Sequence, residues 1–89
     1  MDTIRVTSTS HTLDIAGTIA DLIREQKSAE IEATGAEAVN RAVKTLAMAT
    51  SYLSAEDIFV TCVPEFSHVL IEDRERTALK IVVDPYSPH

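Results

Sequence analysis

Apolar and polar residues alternate along residues 4–8, IRVTS, where Ile4 and Val6 are set against Arg5 and Thr7. This period of two predicts a half-buried strand. The stretch that follows, TSHTLD, is rich in hydroxyls and predicts a loop leading into a helix with Asp14 as its N-cap. In IAGTIADLIREQK the spacing becomes helical: Ile15, Ile19, Leu22 and Ile23 share one face. Asp14 at the start and Lys27 at the end suit the helix dipole.

Alternation returns in residues 29–34, with Ala29, Ile31 and Ala33 facing one way and Glu30, Glu32 and Thr34 the other. Thr34 and Glu37 have the spacing of a capping box. It opens a second helix with an apolar stripe of Val39, Ala42, Val43, Leu46, Thr50 and Leu53. The β-branched and aromatic run DIFVTCV, residues 57–63, predicts a third strand. Pro64 has no N–H for a ladder, so it predicts an edge position or a bulge, past which HVLIE resumes the strand. EDRE reads as a charged turn and RTALKIVVD as the last strand, with Leu79, Ile81 and Val83 on one side and Lys80 and Val82 on the other. Pro85 and Pro88 mark the end of order, giving a single domain over residues 1–85 and a loose tail over 86–89.

The order β-α-β-α-β-β contains two strand-helix-strand crossovers. Both should be right-handed, which places the two helices on one face of one sheet. The fold class is therefore α/β, more closely an α+β two-layer sandwich with one sheet face uncovered. On that face Arg5 can reach Glu30 or Glu32, and Lys80, Val82, Phe59 and Val63 should share it. A half-apolar open face fits either solvent or a subunit contact. Phe59, Val63, Phe66 and Val82 are the candidates for such a contact.

Composition narrows the function. Eighty-nine residues make one domain with a small core. Eight Lys and Arg against 14 Asp and Glu give a net charge of −6. That field repels nucleic acid at long range, so binding would need a local patch. Cys62 is the single cysteine, which rules out an internal disulfide and reads as a small buried residue. No apolar run reaches the roughly 20 residues of a membrane span. No secretory n-region and h-region open the chain, so a cytoplasmic location is expected. His11, His68, His89 and Cys62 lack metal-ligand spacing. No Ser-His-Asp pattern, phosphate loop or dinucleotide fingerprint is present. No catalytic residue, metal or cofactor is expected, and the chain reads as a non-enzyme.

One cluster has candidate chemistry. TGAEAVNRAVK brings Asn40, Arg41 and Lys44 together on the second helix, behind Gly35 at its entrance. Side chains of these types, with free N–H groups at a helix start, could contact phosphates. They could equally be a solvated face, with Arg41 held by Glu37 at i,i+4. The hairpin tip EDRERT mixes Arg74 and Arg76 with Glu72, Asp73 and Glu75, which reads as a solvated turn.

The stretches IAG, AEIEATGAEAVNRAVKTLAMA and ERTALKIVV span nearly the whole chain. They resemble the stage V sporulation protein S family, which is similar in turn to the Alba superfamily of chromatin and RNA-binding proteins. The resemblance implies a mixed sheet of order 1-2-4-3, a homodimer or higher oligomer such as a tetramer, and nucleic-acid binding; of the candidates Asn40, Arg41, Lys44 and Gly35, it favours Asn40 and Lys44, which belong to the matched motif. Alba-like proteins carry lysines in the loop before the first helix; here that loop is STSHTLD, with none. Two functions stay open, beside a weaker third of a small-ligand sensor using the helix entrances. One is a non-enzymatic regulatory protein that binds DNA or RNA as an oligomer; the other is a protein-interaction module in developmental regulation with no nucleic-acid contact.

Overall fold

The computed structural model describes residues 2–86. The elements are β1 (Asp2–Val6), α1 (Thr12–Arg24), β2 (Ala29–Ala33), α2 (Ala36–Ser54), β3 (Phe59–Ile71) and β4 (Arg74–Tyr86). They build one sheet in the order β1-β2-β4-β3. β1 and β2 are parallel, and β4 runs antiparallel to β2 and β3. The single sheet is the one that the alternation and the crossovers predict, and its mixed order is the one that the resemblance implies.

Alternation explains the core. Val6, Ile31, Ile81 and Val83 leave the covered face of the sheet and meet Ile19 and Ile23 of α1 and Leu53 of α2, all buried. On the other face Arg5 Nη2 lies 2.9 Å from Glu32 Oε1, as its cross-strand position predicts. Lys80 Nζ lies 3.2 Å from Glu30 Oε1 and 4.0 Å from Glu65 Oε2. Val63 stands opposite Val82, and Phe59 opposite Tyr86. Directly opposed residues share a face, so Phe59, Val63, Lys80 and Val82 do lie together. Phe66 does not join them: it stands opposite Leu79, on the helix side.

Several local expectations are corrected. β1 ends at Val6 because Thr7 N donates to Ser10 Oγ at 2.9 Å and Ser10 N to Thr7 O at 3.2 Å, a hydroxyl turn that ends the strand. α1 starts earlier than predicted, with His11 at the N-cap, and Asp14 falls inside the first turn. The capping box at Thr34 does not form. Gly35 is the N-cap, at φ 91, with no side-chain cap bond. α2 is also rotated relative to the predicted stripe. Ala38, Ala42, Thr45, Leu46, Ala49 and Leu53 are buried, whereas Val43 is 53% exposed. Small alanines face the sheet, and Thr45 can be buried because its hydroxyl donates to the Arg41 carbonyl at 2.9 Å.

β3 runs through Pro64 with unbroken register, from Phe59 opposite Tyr86 to Ile71 opposite Arg74. Pro64 is tolerated because β3 is the sheet edge, and no bulge is needed. Cys62, on the same edge strand, is exposed rather than buried. Its neighbours still desolvate the sulfur enough to raise the thiol pKa. Pro85 does not end the order: it pairs with Val60 inside β4, which runs on to Tyr86. The rest of the expected tail lies outside the described residues. At the hairpin turn Glu72 and Asp73 have φ of 52 and 61, the positive pair of a type I′ turn. β2 pairs with β4 only as far as Leu79, so nearer the turn the hairpin pairs only with itself.

Candidate nucleic-acid interface

α1 and α2 both start at the carboxyl ends of parallel strands, so their entrances lie at one end of the sheet. A helix start leaves its first backbone N–H groups without partners inside the helix. Neither N-cap supplies a side-chain acceptor: His11 and Gly35 both lack a cap bond. At Gly35 a side chain would be strained by the positive φ, and no atom lies within 4 Å of where a Cβ would stand. Both entrances therefore leave backbone donors open, with Asp14 and Glu37 placing a negative charge in each first turn that opposes an anion there.

Of the four sequence candidates, Gly35, Asn40 and Arg41 lie at or near the start of α2, and Lys44 lies at its middle. Gly35 lines a cleft of about 420 Å³ with Arg5, Thr7, Thr34 and Glu37. Arg41 lines a second cleft, of about 530 Å³, with the hydroxyl loop Ser8–Thr9–Ser10 and the start of α1. Asn40 and Lys44 are exposed on the neighbouring face of α2 and line neither cleft. Arg41 is half-buried, not held by Glu37 on the surface. Its Nη1 donates to the Ser10 carbonyl at 3.2 Å, tying α2 to the loop before α1. Its Nε is buried with no partner among the described residues.

Charge pairing divides the cations, though not by end, since Arg5 at the Gly35 cleft is paired with Glu32. Among the described residues, Arg5, Arg24, Lys27 and Lys80 are in salt bridges. Arg41, Lys44, Arg74 and Arg76 are in none among the described residues. No group of three His, Cys, Asp or Glu side chains among the described residues could hold a metal ion. None of the described helices is long and apolar enough to cross a membrane.

Two features of this site were missed from sequence. The bond from Arg41 to Ser10 joins residues far apart in the chain; only the Thr7–Ser10 spacing, a hydroxyl turn, hinted that the loop was ordered. Val69 and Ile71 of the hairpin also line the cleft at Gly35. Nothing in the local sequence signals that, because it depends on how the free part of the hairpin twists.

The fold is similar to that of Alba from Thermoplasma volcanium, with a TM-score of 0.62 over 97% of this chain and 100% of that one. Identity is 12%, so the likeness concerns the fold. Residues 2–86 match the profile of stage V sporulation protein S. With nearly the whole chain matched, the protein belongs to the stage V sporulation protein S (SpoVS) family.

Proposed function

We propose that this chain is a non-enzymatic regulatory protein that binds DNA or RNA in the cytoplasm as a homodimer or a dimer of dimers. The entrance end makes the contact. The carrying observation is that Arg41, free of salt bridges among the described residues, stands at the end where both helix starts lack side-chain caps, with Lys44, also free of salt bridges there, farther along α2. Phosphates would be met by Lys44, by the outer edge of the Arg41 guanidinium and by backbone N–H groups behind His11 and Gly35, with Asn40 as a neutral donor. Such contacts position a backbone without reading bases. Membership of a sporulation family supports a regulatory role.

Assembly would offset the small number of cations, because two tethered grips raise each other's effective concentration. Phe59 and Val63 on the open face and Phe66 on the helix side are 51%, 50% and 79% exposed, which leaves apolar surface for contacts. Sedimentation at micromolar concentration should give a mass above that of the monomer, and a monomer throughout would remove this part of the reading. The same exposed side chains, on a chain of net charge −6, favour the second reading of a protein-interaction module. Titration against duplex DNA and single-stranded RNA at low and moderate salt separates the two. Phosphate binding gives log K falling with log salt, with a slope of about −0.9 per phosphate neutralised on the duplex. No binding of either at low salt leaves the protein-interaction reading.

A further inference from the structure

The helical layer stops short of the sheet edge. Val83 and Ile81 of β4 are buried beneath it, yet their partners on β3, Cys62 and Pro64, are exposed on the same side. Phe66 continues that row opposite Leu79 and is 79% exposed. α2 supplies a second apolar row. Arg41 marks its flank toward the loop before α1, and Val39 and Val43, one turn apart, lie on the opposite flank, toward β3. Val39 is half-buried and Val43 is 53% exposed. Together the two rows form a strip without a charged residue, in a chain that is 25% charged. Depletion of charge at the centre of a patch marks a surface that is covered. The open sheet face differs. There Arg5 holds Glu32 and Lys80 holds Glu30, and burying those pairs would cost their solvation. Edge-to-edge pairing is blunted too, because Pro64 removes a donor from the middle of the β3 edge.

We propose that a second copy of this chain covers the strip between α2 and β3, across a two-fold axis, and that the open face stays wet. A second copy brings the same uncharged strip, so no charge is buried on either side. The area is of the right scale. Phe66 alone can bury on the order of 150–250 Å², and with Val43, Cys62, Pro64 and a polar rim the strip approaches the roughly 800 Å² per copy of a standard interface. Resting on the nucleic-acid reading, the same axis completes the grip. Asn40 stands next to Val43 around α2, with Lys44 beyond it, so these side chains from both copies border one seam. The site then takes half of its cations from the partner.

The test uses the full chain and two charge-matched variants. Val43→Glu with Phe66→Glu places two charges in the strip. Phe59→Glu with Val63→Glu places two on the open face, at side chains 51% and 50% exposed. Sedimentation at micromolar concentration should give at least a dimer for wild type and the open-face variant, and a monomer for the strip variant. A strip variant that still dimerises, or an open-face variant that dissociates equally, would overturn the proposal. A monomeric wild type would leave the strip to a different protein and overturn it as well. A second measurement needs no variant: alkylation of Cys62 in wild type should slow several-fold as protein concentration rises through the association range. An unchanged rate would mean that the strip stays bare, which also overturns the proposal. On duplex DNA the salt slope of the open-face variant should be about twice that of the strip variant, because twice the cations are engaged; equal slopes would remove the shared seam. If wild type binds neither DNA nor RNA, the nucleic-acid reading fails, while sedimentation and alkylation still decide which face is covered.

Discussion

The two ends of the helical layer are finished in opposite ways. At the exits each helix closes on itself. Lys27 N reaches Leu22 O and Gln26 N reaches Ile23 O, with Gln26 at φ 63; Ile58 N and Asp57 N close α2 onto Leu53 O and Ser54 O, with Asp57 at φ 59. Both are Schellman closures, which satisfy the last carbonyls. Arg24 then clamps the layer, 2.6 Å from Glu56 and 2.9 Å from Asp21. At the entrances no side chain caps either helix, and Arg41 has a buried Nε without a partner. One end satisfies its polar groups internally. The other leaves backbone donors and the Arg41 Nε without partners among the described residues, which is why the proposed contact is placed at the entrances.

The largest effect should come from the packed exit. Leu53 is 1% exposed in the last turn of α2, so Leu53→Ala should cost about 2–5 kcal/mol in urea unfolding. Val43, which the sequence pattern places in the core, should tolerate Ala with far less loss. Equal costs at the two positions would mean that α2 is not rotated as described.

Next comes Arg41→Glu with Lys44→Glu, which should abolish nucleic-acid binding. The pair also separates the two residues. Lys44→Glu alone should leave the unfolding midpoint nearly unchanged. Arg41→Glu should lower stability by about 1.5–3 kcal/mol, the scale of a hydrogen bond from a charged group, because it cuts the tie to Ser10. Retained affinity in the double variant would place the contact elsewhere.

A smaller effect should follow from making the entrance resemble the exit. His11→Asp would give α1 the side-chain cap it lacks and should stabilise the protein by about 0.5–2 kcal/mol. Because a capped entrance has fewer free donors and an added negative charge, binding should weaken as stability rises. Stability and affinity rising together would contradict the role given to the open cap.

The smallest effect is at the exit clamp. The hydrogen bond from Arg24 holds the Glu56 carboxyl below its ordinary range. A lowered folded-state pKa contributes stability above the unfolded pKa and loses it as pH falls through the folded value. Glu56→Gln should therefore lower Tm slightly at neutral pH, with the gap closing in acid and shrinking in high salt. A gap that persists in acid would show that packing, not charge, sets the contribution of Glu56.

Much of the fold was legible because its signals are periodic. Residues 4–8 and 29–34 alternate cleanly since one sheet face is covered and the other wet, and the ion pair from Arg5 to Glu32 follows from that alternation. The rotation of α2 was not legible. Its core side is mostly alanine, a small residue that hydrophobic patterning underweights beside Val43. The helix starts were misread for a related reason: Asp14 and Thr34 have good capping chemistry, but the hydroxyl turn at Thr7–Ser10 and the positive φ of Gly35 place the caps elsewhere. Of the candidate site, the residues of α2 could be picked out, whereas the tie from Arg41 to Ser10 and the hairpin wall at Gly35 depend on contacts between distant segments.

The claim that the entrances are the working end is tested most directly by NMR amide shifts recorded as duplex DNA or single-stranded RNA is added at low salt. The account predicts that the shifts concentrate at residues 8–14 and 35–44, with the Arg24–Glu56 region unmoved. Shifts concentrated around Arg24, Glu56 and Ile58, with the entrances silent, would contradict it.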